Sequence, residues 1–100
     1  MATIGTFTQK DDILSGEIET ISVKANLTIT PVSNTKKGAP NYRVMAGSSE
    51  IGAGWTRQSK AGRDYISVKI DDPIWDAPLY ANLIEKNGTH TMIWNRKANA

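Results

Sequence analysis

Ile21-Ser22-Val23-Lys24-Ala25-Asn26-Leu27-Thr28-Ile29-Thr30 alternates apolar and polar side chains without a break. Successive side chains of an extended chain point to opposite faces, so this segment reads as a strand. Ile21, Val23, Ala25, Leu27 and Ile29 form its buried face, and the residues between them its wet face. Pro31 cannot donate to a ladder and marks the strand's end or an edge. Upstream, Ile13-Leu14-Ser15-Gly16-Glu17-Ile18-Glu19-Thr20 is also strand-like. Its Ile18 is out of step with Ile21, which requires a tight turn or a bulge near Thr20.

The same period of two recurs downstream. Tyr42, Val44 and Ala46 share a face, as do Ile51, Ala53 and Trp55, which puts Trp55 in phase with the core. Ile66, Val68 and Ile70 oppose Tyr65, Ser67 and Lys69. Leu79, Ala81 and Leu83 alternate with Tyr80, Asn82 and Ile84, and Thr91-Met92-Ile93-Trp94 reads as the last strand. The punctuation fits. Residues 33–40 have loop composition, Gly47-Ser48-Ser49 is a turn, and Gly62 can supply a positive φ to a hairpin through Ser59-Lys60-Ala61-Gly62-Arg63. Asn87-Gly88 is the strongest turn signal of all, because a type I′ turn wants positive φ at both central residues. The stretch from Asp71 to Pro78 holds two prolines and is expected to be irregular.

No window sustains the i, i+3, i+4, i+7 apolar pattern of a helix. The expected fold is therefore all-β, a small antiparallel barrel or two-sheet sandwich of seven to eight short strands. It forms one β domain over residues 1–96, with a frayed tail at 97–100.

A length of 100 residues, 39% of them hydrophobic, suits one globular domain. No apolar run approaches the roughly 20 residues a bilayer crossing needs. The first residues, Met1-Ala2-Thr3-Ile4-Gly5-Thr6-Phe7, hold neither a basic region nor a long apolar one, so no secretory signal is read and the cytoplasm is the expected compartment. On that expectation, Asn26-Leu27-Thr28 and Asn87-Gly88-Thr89 are chance matches to the glycosylation pattern. With no cysteine, disulfides, thiolate metal sites and thiol nucleophiles all drop out. The net charge of +2 does not by itself identify a nucleic-acid binder. Acids gather at Asp11, Asp12, Glu17 and Glu19 and at Asp71, Asp72 and Asp76. Bases gather between Lys36 and Lys69.

Five stretches carry a resemblance: residues 2–7, Ala39-Pro40-Asn41-Tyr42-Arg43-Val44, Glu50-Ile51-Gly52-Ala53-Gly54-Trp55, the long block from Gly62 to Pro73, and Pro78-Leu79-Tyr80-Ala81-Asn82-Leu83. Together they resemble the bacterial family catalogued as domain of unknown function 736, from Ala2 to about Arg96. The resemblance implies a small cytoplasmic protein carried on plasmids, conjugative elements or phages, mostly in Proteobacteria. It brings no established catalytic residue and no cofactor to these positions.

Read for chemistry, the chain offers little to catalysis. His90 is its single histidine and sits beside a turn signal, where an exposed hairpin residue is expected rather than a general base. Asp71, Asp72 and Asp76 could attract a hard cation, but they lack the spacing of a calcium loop and suit the turn around Pro73. Glu17 and Glu19 fall on one face of a strand, read as solvated. Gly47, Gly52 and Gly54 lack the strand–helix context and lysine of a phosphate loop. Neither catalytic nor metal residues are assigned, and no cofactor is expected.

The central hairpin is more informative. Arg57, Lys60, Arg63, Tyr65 and Lys69 lie on or beside one β ribbon with Trp55. Rings interleaved with cations stack bases and track phosphates in single-stranded nucleic-acid sites. The same residues also make good strands, and bases on an edge ribbon discourage aggregation. A third reading is a protein hot spot or an edge strand that pairs with a partner, with Trp75 as an anchor or as a plug for one end of a barrel. The expected function is a non-enzymatic accessory protein of mobile elements that binds a macromolecule. A protein partner leads, in concrete form a host defence complex that it inhibits (anti-CRISPR or anti-restriction), with a single-stranded nucleic-acid binder as the alternative. No membrane partner is expected, and the oligomeric state is left open.

Overall fold

The computed structural model describes residues 3–21, 23–33, 36–73 and 76–95. Its strands run in chain order: β1 (Thr3–Lys10), β2 (Ile13–Glu19), β3 (Lys24–Pro31), β4 (Tyr42–Ala46), β5 (Ser49–Gln58), β6 (Asp64–Ile70), β7 (Leu79–Lys86) and β8 (Thr89–Asn95). Each pairs antiparallel with the next, and β8 pairs back onto β1, closing the sheet into a barrel. The fold is all-β, and the barrel prevails over the sandwich. Closure also corrects the reading of the β5–β6 ribbon as an edge. Every strand has a neighbour on each side, so no strand edge is left for a partner's strand to extend.

Period-two segregation builds the interior. Phe7, Leu14, Ile18, Leu27, Ile29, Val44, Val68, Ile70, Ala81, Leu83 and Met92 are buried. Directly paired residues share a side of the sheet, and the rung Ile29–Val44–Gly52–Ile70–Leu79 runs inward across five strands. Complete removal of such side chains from water supplies the main driving force for a domain without disulfides.

Two expectations about phase are overturned. The inward alternation of β3 begins at Val23, and Ile21 is 106% exposed. The expected turn explains the difference: Thr20 donates its amide to the Val23 carbonyl (2.7 Å), and the Thr20 hydroxyl accepts the Val23 amide (3.0 Å). Ile21 sits at the turn's tip. On β5 the small residues go inside. Gly52 pairs with Val44 and Ile70, and Gly54 with Tyr42 and Val68, so Ala53 and Trp55 face out. Ile51 lies at a register shift and still packs against the core.

The turns follow their residues. Asn87 (φ 55°) and Gly88 (φ 82°) join β7 to β8, and Gly62 (φ 84°) turns β5 into β6. Asp11 (φ 52°) and Asp12 (φ 69°) make the β1–β2 turn without a glycine. Strand β1 had no clear signature because Ile4 and Phe7 are three apart, and a register shift between Thr3 and Gly5 lets both turn inward. Trp75 and the tail at 97–100 lie outside the described residues.

Candidate functional site

The outer face of β5, β6 and β7 collects the unusual surface residues. Trp55 and Arg57 on β5, Tyr65, Ser67 and Lys69 on β6, and Tyr80 and Asn82 on β7 all point outward, opposite in phase to inward Gly54, Val68, Ile70, Ala81 and Leu83. Register then sets who meets whom. Arg57 stands directly opposite Tyr65, Trp55 opposite Ser67, Ser67 opposite Asn82, and Lys69 opposite Tyr80. Such partners have Cβ atoms roughly 4.5–5.5 Å apart. Three rings and two cations thus share one continuous face, with the rings half-buried and Arg57 and Lys69 exposed.

The loop between β3 and β4 folds against this face. Trp55 Nε1 donates to the Gly38 carbonyl (3.1 Å), and Asn41 Oδ1 accepts the Thr56 amide (2.9 Å). The Asn41 amide in turn donates to the Gly54 carbonyl (2.9 Å). Trp55 is therefore a strut that holds the loop and brings exposed Lys37 to the flank of the face. It is not a core residue.

Four cations singled out in the sequence, Arg57, Lys60, Arg63 and Lys69, are exposed, and among the described residues none is within ion-pair distance of a carboxylate. Arg57, Tyr65 and Lys69 come together on the face, while Lys60 and Arg63 stand at the β5–β6 turn beyond its end. Lys69 shares a shallow depression of about 320 Å³ with Trp55, Ile51, Glu50 and Asp71, so charges of both signs meet there. Tyr80 was not singled out from the sequence. Its signal was there, since it alternates outward from Leu79, Ala81 and Leu83, but only the register places it opposite Lys69. Asp71 gives its backbone amide to the Ile51 carbonyl (2.8 Å), and no three of the described His, Asp or Glu residues converge as metal ligands do.

A deeper cavity of about 420 Å³ opens at the barrel end that carries the β5–β6 and β7–β8 turns. Tyr42, Thr56, Arg63, Asp64, Glu85 and His90 contribute to its lining. Here the expectation for His90 is corrected: it is half-buried on the inner wall, in phase with fully buried Met92 and paired with fully buried Phe7. Its Nδ1 is sealed from solvent and has no hydrogen-bond partner. Across the β7–β8 rung stands Glu85, whose Oε2 accepts the Gly88 amide (2.7 Å).

No curated protein and no solved structure matches the chain. A family model does, over residues 3–97, and its description is protein of unknown function (DUF736). That match spans every strand of the barrel, so the chain belongs to the DUF736 family of proteins of unknown function.

Proposed function

We propose that this protein is a non-enzymatic binding module that holds a protein partner against the outer face of β5, β6 and β7. The observation that carries the reading is the row of half-buried outward rings, Trp55, Tyr65 and Tyr80, set beside exposed Arg57 and Lys69 on one barrel face. Aromatic residues and arginine dominate protein hot spots, because large rigid surfaces are desolvated there at little cost in side-chain entropy. The neighbouring depression supports a polypeptide over a polyanion, since Lys69 is accompanied there by Glu50 and Asp71. With strand addition closed off, recognition runs through side chains. The mobile-element setting comes from the family resemblance alone, and in that setting a host defence complex that is inhibited on binding is the concrete partner.

One observation favours a second reading. The Arg57–Tyr65 and Lys69–Tyr80 rungs each couple a ring to a cation, the unit that holds single-stranded nucleic acid. A single comparison separates the two. Affinity capture from host lysate with and without nuclease is expected to retain a protein in both arms, with retention lost in Arg57→Ala and Tyr65→Ala. Each substitution is expected to cost about 1–2 kcal/mol of binding, roughly 5- to 30-fold. Loss of all specific protein after nuclease, together with steeply salt-dependent binding of a labelled oligonucleotide, would transfer the assignment to nucleic acid. Neither signal would refute both.

A further inference from the structure

The two ends of the barrel are finished differently. At the end where β6 stops and β7 begins, inward positions stay apolar: Ile70 is fully buried, and Ala46, Leu79 and Trp94 pack against the core. At the opposite end, inward positions on adjacent strands turn from apolar to polar. Tyr42 follows the phase of Val44, Thr56 that of Gly54, Asp64 that of Ile66 and Val68, Glu85 that of Leu83, and His90 that of Met92. The cavity lies within this polar arc, and Ile66 and Leu83 supply apolar surface beneath it. A mouth merely wetted by solvent needs polar residues but no such recess.

The arc also has free hydrogen-bonding capacity. The hydroxyls of Tyr42 and Thr56 are bonded to no described residue. With Nδ1 of His90 sealed in the wall, Nε2 is the imidazole nitrogen left for a bound molecule. Glu85 spends Oε2 on the β7–β8 turn and keeps Oε1. Charge is of both signs, with carboxylates at Asp64 and Glu85 and a guanidinium at Arg63.

We propose that this mouth binds a small zwitterion with an apolar body, the chemistry of a free α-amino acid with a branched or aromatic side chain. The ammonium is received by Asp64 and Glu85, the carboxylate by Arg63 in the paired geometry guanidinium favours, and the side chain rests on Ile66 and Leu83. A recess of this size at a barrel mouth, part apolar with a few convergent polar groups, is the usual setting for a small ligand. The site borders the outer face, since Tyr65 also lines the cavity, but the groups that would take the ligand, Arg63, Asp64, Glu85, Ile66 and Leu83, are not those of the partner reading, so the two are tested apart.

The test is an NMR titration of the full chain with leucine and with phenylalanine, alongside their N-acetyl and methyl-ester forms. The single imidazole serves as a reporter, with the amides of Thr56, Asp64 and Glu85. Saturable shifts confined to the mouth are expected with the free amino acids. Both blocked forms should bind about tenfold more weakly or worse, since each loses a charged hydrogen bond. Glu85→Gln, which keeps an acceptor for the Gly88 amide, should also weaken binding. Absence of saturable shifts at the mouth up to roughly 10 mM, well beyond the weak end of ordinary affinities, overturns the site. Undiminished binding of either blocked form overturns the zwitterion assignment.

Discussion

Gly16 has no side chain because Phe7 occupies the space one would need. The two are directly paired, and a Cβ on Gly16 would lie 2.7 Å from Phe7 Cγ and 2.8 Å from Cδ2, as well as against the Thr6 carbonyl. Phe7 is fully buried and cannot swing aside. Gly16→Ala is therefore expected to destabilise the fold by about 1–3 kcal/mol, read as a lower urea midpoint at unchanged slope. Phe7→Ala removes the ring and should cost about 3–5 kcal/mol. The outer face proposed for partner binding behaves in the opposite way. Arg57 and Lys69 are exposed, and their replacement by alanine should move stability by no more than about 0.5 kcal/mol, so any loss of partner binding can be assigned to the contact itself. The Arg43–Glu50 pair (3.9 Å, both side chains more than half exposed) is a weak contributor by the same reasoning.

Among the elements, the hairpins show how turn chemistry sets register. Asn87-Gly88 places the residue types a type I′ turn prefers at two positive φ values, whereas the β1–β2 turn asks the same of Asp11 and Asp12. A side chain in the left-handed region costs energy that glycine avoids. Asp12→Gly, which converts the turn to Asp-Gly, is expected to raise stability by up to about 1 kcal/mol. Thermal unfolding measures this directly, and an unchanged or lower midpoint would show that the Asp12 conformation carries no such cost. Gly88→Ala should go the other way, since alanine resists the φ of 82° found there.

At the scale of the whole molecule, pairing of β1 with β8 joins the first strand to the last. Each strand depends on neighbours on either side, and the core is shared by all of them. Truncation after Lys86 removes β8, uncovers ladder groups on β1 and β7, and takes Met92 out of the interior. The truncated chain is expected to show no cooperative unfolding transition by circular dichroism. A cooperative transition in that fragment would mean that closure is dispensable.

Alternation along the chain was enough to specify β structure, the inward sets on β3, β4, β6 and β7, and the turns at Thr20, Gly62 and Asn87-Gly88. These are local properties: a side chain's direction on a strand and a turn's φ values depend on near neighbours in sequence. The phase of β5 was not legible, because a rule that seeks large apolar residues for the interior cannot see glycines such as Gly54, whose missing side chain lets Ile66 and Tyr42 approach. Nor was the pairing of Lys69 with Tyr80, or the gathering of Tyr42, Thr56, Asp64, Glu85 and His90 at one mouth. Those are facts of register and closure. A sheet curls into a barrel only when all its strands are staggered together, and that stagger is decided by packing between residues far apart in the chain.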